Sequence, residues 1–480
     1  MDFAGNSQPF ALNRAGFQLS AEPRDTIAAV ATAPGPGGIG VVRISGPSAW
    51  QMGQALFRPA QGRLPQPPPL RRLLYGHVQD PVTGETVDEV LCVFFKAPHT
   101  YTTEDTVEIQ GHGGLAACRR ILELALGQGC RLARPGEFTL RAFLGGRIDL
   151  SQAEAVAQMV EAQSGLEARL ALGALTGGLA RRLAPVRQAL LKSAAAVEAA
   201  IDFPDEAEEI TGPALALELR EQAVEPLVSM VEERRKRRCF REGAVVVLCG
   251  RPNVGKSSLF NALLGQDRAI VTQVPGTTRD SIEEAALLGG VVCRLVDTAG
   301  LGEASGLVDA LGMEAARQRL VNSDLALVVL DGSQGLTPED RDTLAATASK
   351  SRVVAVNKAD LKPAWKLTDL EPGTSLLLRV SALTGEGLDE LARQIGAALT
   401  QGQPEPAPGE VVISARQAQA LQQCLEATAR AAKGLEQADI QPELVSVDLA
   451  QALEALGEVD GQGAPDQVIE AVFSTFCVGK

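Results

Sequence analysis

The sequence predicts a multidomain chain of α+β and α/β type. An N-terminal α+β segment leads into a helical segment, which is interrupted by an inserted α/β domain of the P-loop kind and then resumes. Three observations predict this. The texture turns helical at Ser151, turns to alternating strand and helix at Glu242, and returns to helix after Glu410. Five short apolar runs alternate with helical stretches inside the insert, the mark of a mainly parallel sheet with helices on both faces. The run Gly250–Ser257 reads GRPNVGKS and directly follows one of those strands. A length of 480 residues suits two to four domains.

Taken in order, residues 1–24 (MDFAGNSQPFALNRAGFQLSAEPR) read as a loose extension without a basic stretch leading into an apolar one, so no secretory signal is expected. Residues 25–148 carry β-rich stretches such as Ile39–Ile44 (IGVVRI) and Val90–Phe95 (VLCVFF), broken by Ala33–Gly40 (APGPGGIG) and Pro65–Pro69 (PQPPP). Residues 149–242 place Ala155, Met159, Ala162, Leu166 and Leu170 at helical spacing, the pattern of long helices in a bundle. The insert, 243–400, carries strands at Ala244–Cys249, Val291–Val296, Leu325–Leu330, Val353–Val356 and Leu376–Val380. A proline-rich linker, 401–410 (QGQPEPAPGE), precedes a second helical part, 411–480. One discontinuous helical domain and two separate ones would read alike from spacing.

Charge and cysteine use exclude some classes. Lys and Arg total 45 against 59 Asp and Glu, a net charge of −14, so RNA contact would need local basic patches or a partner. The basic run Arg234–Arg238 (RRKRR) reads either as a charged helix face at a domain junction or as a tRNA contact. Eight scattered cysteines form no CxxC pair, which argues against a disulfide framework or zinc knuckle and fits a reducing, cytoplasmic setting. Apolar runs are far shorter than the roughly 20 residues a membrane span takes, so no membrane association is expected. Of the three histidines, His112 in GHGG reads as structural.

The P-loop run satisfies G-x-x-x-x-G-K-[ST], with Asn253, Val254, Gly255, Lys256, Ser257 and Ser258 at its turn into a helix over Ser258–Leu264. Backbone N–H groups converge on phosphates there, Lys256 adds charge at the β and γ groups, and Ser257 can ligate Mg²⁺. Asp297, Thr298, Ala299 and Gly300 (DTAG) end a later strand, Asp297 reaching Mg²⁺ through water. Asn357, Lys358, Ala359 and Asp360 (NKAD) end another, and the Asp360 carboxylate can accept from N1–H and the 2-amino group of guanine. Ser381, Ala382 and Leu383 (SAL) then back the base. Four such segments in order specify GTP over ATP and a Ras-like P-loop GTPase domain. Thr278, in the run Gly276–Asp280 (GTTRD), is the candidate Mg²⁺ and γ-phosphate ligand. Leu301 stands where many GTPases place a water-orienting Gln, so hydrolysis must draw on another group. In this the chain resembles GTPases that dimerise through their G domains around a monovalent cation.

Four further stretches carry a resemblance: Asp25–Gly46 (DTIAAVATAPGPGGIGVVRISG), Tyr101–Gly114 (YTTEDTVEIQGHGG), Ala133–Ala155 (ARPGEFTLRAFLGGRIDLSQAEA) and Phe473–Lys480 (FSTFCVGK). With GRPNVGKSS, AIVTQVPGTTRD and DTAGL, they closely resemble the MnmE (TrmE) family of bacterial tRNA modification GTPases, from Asp25 to Lys480. The resemblance implies an N-terminal domain that dimerises and binds 5-formyl- or methylene-tetrahydrofolate, and a discontinuous helical domain around the G domain. It implies a homodimer that joins an FAD-binding MnmG-type partner in a heterotetramer or larger assembly. Together they would add an aminomethyl or carboxymethylaminomethyl group to C5 of the wobble uridine of certain tRNAs. It places folate binding on Arg43, Glu108, Arg147 and Lys480. Cations there suit glutamyl carboxylates, and a carboxylate suits pterin N–H groups. K⁺ would be held by Asn253, Thr272, Val274 and Thr277, within the nucleotide-facing run Thr272, Gln273, Val274, Pro275, Gly276, Thr277 and Thr278.

Two catalytic positions follow from the same resemblance. Asp309 stands where the family carries a glutamate acting through water in GTP hydrolysis. Cys477 of the C-x-G-K ending reads either as a reactive thiol or as a small packing residue beside the folate. The rival reading is a ribosome-assembly GTPase of the Era or EngA type. It would carry a basic KH-type RNA domain with a GxxG clamp, whereas the segment after Glu410 is helical and not basic.

Overall fold

A computed structural model describes residues 25–203, 212–266, 283–297, 318–365, 377–403, 406–407, 409–437 and 441–480. The chain forms two compact units: the described residues of Met1–Ala157, Ala180–Arg220 and Gln423–Lys480, and those of Gln158–Leu179 and Glu221–Gln422. Each is built around its own sheet.

The first unit holds seven strands: β1 (Ile27–Val30), β2 (Gly37–Ser45), β3 (Phe57–Pro59), β4 (Leu74–Gln79), β5 (Thr86–Phe95), β6 (Thr106–Gly113) and β7 (Arg131–Leu132). Their order is β3-β4-β5-β6-β2-β1-β7. All neighbours are antiparallel except β1 and β7. Side chains alternate across a sheet. Val42 and Ile44 of β2, with Val107 and Ile109 of β6, pack with Phe94, Leu56, Ile121 and Leu124, the last three from the helices Ala49–Leu56 and Leu115–Gly127. Arg43 and Glu108 alternate with them and are paired in register, so both fall on the opposite face. That face is lined near β1 by Ile27, Ala29, Ala133 and Phe138, with Tyr101 against them.

The helical residues of this unit bury stripes at helical spacing, as Leu449, Ala452, Leu456 and Val459 do on the helix Pro442–Asp460. Arg187 meets Asp460 at 2.7 Å, and Arg220 grips Glu436 with two hydrogen bonds. Phe473 and Phe476 pack with Ala142, Leu150 and Ile469. The terminal residues then lie against β1 and the helix Glu137–Leu144. Gly136 N–H donates to the Cys477 carbonyl at 3.4 Å, and Phe138 N–H to the Lys480 carbonyl at 3.2 Å. Gly479 has φ +102°, and a Cβ there would sit 2.2 Å from the Val30 carbonyl, so only glycine fits.

A partly buried ionic network centres on Arg141 and Glu137. Arg141 contacts Asp25, Glu137 and Glu104 at 2.5, 3.0 and 3.1 Å, and Arg131 contacts Asp25 and Glu137 at 2.6 Å each. Burial alone would raise the carboxyl pKa values. The guanidinium hydrogen bonds win and hold Asp25 and Glu137 below the ordinary range.

The second unit is a six-stranded sheet, ordered β13-β12-β11-β8-β10-β9. Five strands match the expected runs: β8 (Ala244–Cys249), β10 (Val291–Asp297), β11 (Leu325–Asp331), β12 (Arg352–Asn357) and β13 (Leu377–Arg379). They are mutually parallel. Every residue of β11 is buried, as a central parallel strand requires. The sequence reading did not anticipate β9 (Glu283–Leu288), which pairs antiparallel with β10. Its residues, EEAALL, favour helix, and cross-strand pairing overrides that preference. Leu259, Phe260 and Leu263 of the helix Lys256–Gln266, with Leu391 and Ile395 of Leu388–Leu399, fill the core.

The apolar spacing from Ala155 to Leu170 is not one helix. It is broken into Leu150–Glu161 and Gly165–Leu175. Ser164 caps the second helix, accepting from Glu167 N–H at 3.1 Å, while the Glu167 side chain accepts from Gln163 N–H at 2.6 Å. Leu166 and Leu170 join the core of the second sheet. The basic run is largely neutralised within the unit. Arg234 pairs with Glu242, Arg237 with Glu233 and Glu410, and Arg238 with Asp324. No described helix is long and apolar enough to cross a membrane.

Candidate functional site

The phosphate loop connects β8 to the helix Lys256–Gln266, as a strand-to-helix turn must. Its glycines are needed for closeness as well as for turning. A Cβ at Gly250 would lie 2.4 Å from the Val329 carbonyl, and one at Gly255 2.3 Å from Asn357 Nδ2. Asn253 adopts φ +65°, a conformation that asparagine tolerates better than most residues. Lys256 is buried. Its Nζ donates to the carbonyls of Gly250 (2.8 Å) and Arg251 (3.0 Å). Burial pulls its pKa down, while the nearby Asp297 opposes that shift. Val254 is fully buried, and Ser257 and Ser258 are exposed at the start of the helix.

Ser257 Oγ donates to Asp297 Oδ2 at 2.8 Å, bringing two hard oxygen ligands together beside the phosphate loop. Asn357 is the hub. It is 2% exposed, its Nδ2 donates to the Val254 carbonyl at 3.0 Å, and its Oδ1 accepts from Ala382 N–H at 3.1 Å. One amide thereby fixes the phosphate loop, the NKAD turn and the SAL turn together. Lys358 Nζ donates to the Asn253 carbonyl (3.1 Å) and to Asp331 (2.7 Å). Ser381 Oγ donates to Asp360, whose carboxylate is exposed, and Ala359 N–H donates to the Val380 carbonyl at 3.0 Å. Leu383 stands 85% exposed beside them, free to cover a base.

Sequence reasoning missed Asp331 and Trp365, whose Nε1–H donates to the Asp331 carbonyl at 3.1 Å. Each sits among ordinary strand-end or loop residues and carries no motif. Thr272, Gln273, Val274, Pro275, Gly276, Thr277, Thr278, Thr298, Ala299, Gly300 and Asp309 lie outside the described residues.

The four expected folate residues are distributed unequally. Glu108 and Arg147 line one cavity of about 660 Å³ in the first unit, with Tyr101, Thr103 and Phe95. Arg43 stands behind Glu108, donating Nε–H to it at 2.8 Å, with its guanidinium over the Tyr101 and Phe138 rings. Arg147 stacks on Tyr101 at 4.8 Å and donates to the Tyr101 carbonyl. Tyr101 therefore organises both guanidiniums, a role its place in YTTED did not reveal. Lys480 is not among the residues lining this cavity, its main chain being bound at Phe138 as described.

Cys477 is exposed and lines a second, more apolar cavity of about 900 Å³ with Cys118, Pro34, Ile39, Leu115 and Val478. Burial pushes Cys130 up to about 12 and Cys249 and Cys424 up to about 11, so those thiols are inert at neutral pH. His112 is held by Asp88 at 2.6 Å. The described residues contain no cluster of three or more His, Cys, Asp and Glu side chains able to hold a metal ion.

A parallel sheet, a glycine-shaped phosphate loop, and NKAD and SAL turns tied through one buried asparagine define a P-loop protein built for guanine nucleotides. Comparison with known proteins extends this to the whole chain. Residues 26–147 match the family model for the GTP-binding protein TrmE N-terminus, and residues 150–477 the MnmE helical domain. The tRNA modification GTPase MnmE of Moorella thermoacetica is 44% identical over 468 residues, covering 95% of this chain and 99% of that protein. That of Chloroflexus aurantiacus is also 44% identical, covering 95% and 100%. Among solved structures, Aquifex aeolicus Era bound to GDP·AlF₄⁻ is 28% identical over 38% of this chain and 66% of that one, with a TM-score of 0.28. The chain belongs to the MnmE family of tRNA modification GTPases.

Proposed function

We propose that this GTPase adds an aminomethyl or carboxymethylaminomethyl group to C5 of the wobble uridine of certain tRNAs. It takes a one-carbon unit from 5-formyl- or methylene-tetrahydrofolate and acts with an FAD-binding MnmG-type partner. The observation that carries the reading is the conjunction, in one chain, of the Asn357-centred nucleotide site and a match along 95% of its length to tRNA modification GTPases. The domains are residues 25–148 for folate and dimerisation, 149–242 and 411–480 for the helical domain, and 243–400 for the G domain. The 1–24 extension and the 401–410 linker complete the chain. The protein is a cytoplasmic homodimer that assembles with its partner into a heterotetramer or larger.

The donor set fits the groups this function needs. Ser257 and Asp297 offer hard oxygens for Mg²⁺, directly and through water respectively, and Thr278 is assigned as a further ligand. K⁺ is assigned to the Asn253 side chain with Thr272, Val274 and Thr277. When bound, the cations neutralise charge on the phosphates. Lys256 exchanges the carbonyls of Gly250 and Arg251 for phosphate oxygens, so the buried ammonium is never left without acceptors. Asp360 accepts from the guanine N–H groups. Asp309 positions the attacking water, and Asp309→Ala should abolish most of the turnover without changing nucleotide affinity. Glu108, backed by Arg43, accepts from pterin N–H groups, while Arg147 and Lys480 serve the carboxylates. Cys477 is required for modification.

The test is nucleoside mass spectrometry of tRNA from cells lacking this protein, with and without the wild-type chain restored. Loss and recovery of C5-aminomethyl-type uridines is the expected result. An unchanged uridine profile would refute the modification reading. A GTP hydrolysis rate in K⁺ no higher than in Na⁺ would refute the cation assignment.

A further inference from the structure

Most arginines described above are matched to carboxylates, as a chain with net charge −14 permits. Two that share one cavity are not. Arg71 and Arg147 both line the 660 Å³ cavity that contains Glu108. Among the described residues neither has a carboxylate within ion-pair distance. Each instead spends a donor on a main-chain carbonyl of the same loop, Arg71 on His99 at 2.7 Å and Arg147 on Tyr101 at 3.0 Å. Arg147 is further held over the Tyr101 ring, 4.8 Å from its centroid.

Arg71 is fixed from the other side by its own backbone. Its N–H donates to the Phe94 carbonyl at 2.9 Å, and its φ is +53°, a left-handed conformation rare for a non-glycine residue. Backbone held in that region persists where the surroundings over-determine it, and such positions cluster at ligand-binding sites. The cavity thus has a carboxylate at Glu108 and two restrained, uncompensated guanidiniums, each with donors to spare for a planar anion.

We propose that Arg71 joins Arg147, already assigned to the folate carboxylates, in holding the glutamyl tail, and that Arg71 makes the cavity prefer tail-bearing over tail-less pterins. This rests on the folate reading above and adds to it a residue that carries no sequence motif. A rigid fork matches a carboxylate with two parallel hydrogen bonds, which a lysine ammonium reproduces only as a point charge.

The test compares binding of 5-formyl-tetrahydrofolate and of 5-formyl-tetrahydropteroate, which lacks the glutamate, to the full-length wild type, Arg71→Gln and Arg71→Lys. Affinity for a bulk tRNA preparation is measured alongside. Arg71→Gln should weaken the glutamyl ligand at least tenfold, leave the tail-less ligand within twofold, and leave tRNA binding unchanged. Arg71→Lys should recover part of the loss. Wild-type binding of the glutamyl ligand with no loss in Arg71→Gln would overturn the proposal and leave the folate reading standing. Equal losses for both ligands would also overturn it, since a general disturbance of the cavity would then explain the effect. Loss of tRNA affinity with folate binding intact would assign the two guanidiniums to phosphates instead. No binding of either ligand by the wild type would overturn the folate reading and the proposal together.

Discussion

Replacing Asn357 by alanine tests the nucleotide site at its hub. The side chain is buried and makes two hydrogen bonds, to the Val254 carbonyl and from Ala382 N–H. Truncation leaves both partners unsatisfied, at about 1–3 kcal/mol each, or roughly 2–6 kcal/mol together. These bonds exist before nucleotide arrives, so the loss divides between stability of the second unit and the work of reordering two loops on binding. A share of about 1.4–2.8 kcal/mol in binding corresponds to a roughly 10- to 100-fold weaker affinity. Asn357→Asp separates the two bonds, because it keeps the acceptor for Ala382 N–H but turns a carboxylate toward the Val254 carbonyl. It should bind no better than the alanine variant. The assay is titration with a fluorescent GDP analogue at constant Mg²⁺, with thermal melting in parallel. Affinity within twofold of wild type for Asn357→Ala would refute the hub argument.

Four further outcomes follow from the geometry. Arg141→Met leaves Glu104 without a cation and Asp25 and Glu137 with Arg131 alone, and should destabilise the first unit by about 3 kcal/mol, the low end for breaking a buried pair, read from the urea midpoint through Trp50 in a Trp365→Phe background. Because Asp25 and Glu137 are held below their ordinary values, the stability they contribute is complete above about pH 4.5 and is lost as the pH falls through their lower folded values; a midpoint that stays flat down to pH 3 would contradict this. The hydrogen bond that His112 Nδ1–H donates to Asp88 raises the His112 pKa, so its contribution is complete below about pH 6.5 and fades as the pH rises through the higher folded value. An NMR titration of His112 should show that upward shift in the wild type and its loss in Asp88→Asn. Gly479→Ala cannot fit against Val30, so the terminal residues should leave β1 and Cys477 should react faster with a thiol reagent; an unchanged labelling rate would show that the slot tolerates a side chain.

The nucleotide site was legible because its chemistry is local. A phosphate loop, the NKAD turn and their flanking strands each occupy a few consecutive residues, and each strand declared itself as a continuous apolar run. The break at Ser164 was less visible, since a capping serine three residues before a glutamate competes with apolar spacing that runs straight through it. Strand β9 was hidden because its residues favour helix and only a long-range partner makes it a strand. At the cavity of about 660 Å³, resemblance alone singled out Glu108 and Arg147. Tyr101 and Arg71 escaped because nothing in sequence brings residue 71 to residue 147, and the contacts that do so run through the loop carbonyls of His99 and Tyr101.

The slot that takes Gly479 has a bearing on how the chain acquires its structure. Val30 and Gly479 are separated by nearly the whole sequence, yet one packs on the backbone of the other. Neighbouring strands such as β4 and β5 can pair early across a short connection. The contact between β1 and the terminal residues must instead wait for a very long loop to close, which makes it a late event. The first unit is also assembled from three stretches between which the entire second sheet is threaded. A single proteolytic cut inside that insert would therefore leave β1 and residue 479 on different polypeptides. Their reunion would then depend on protein concentration, and the side chains around Cys477 would serve as a sensor of an intact chain.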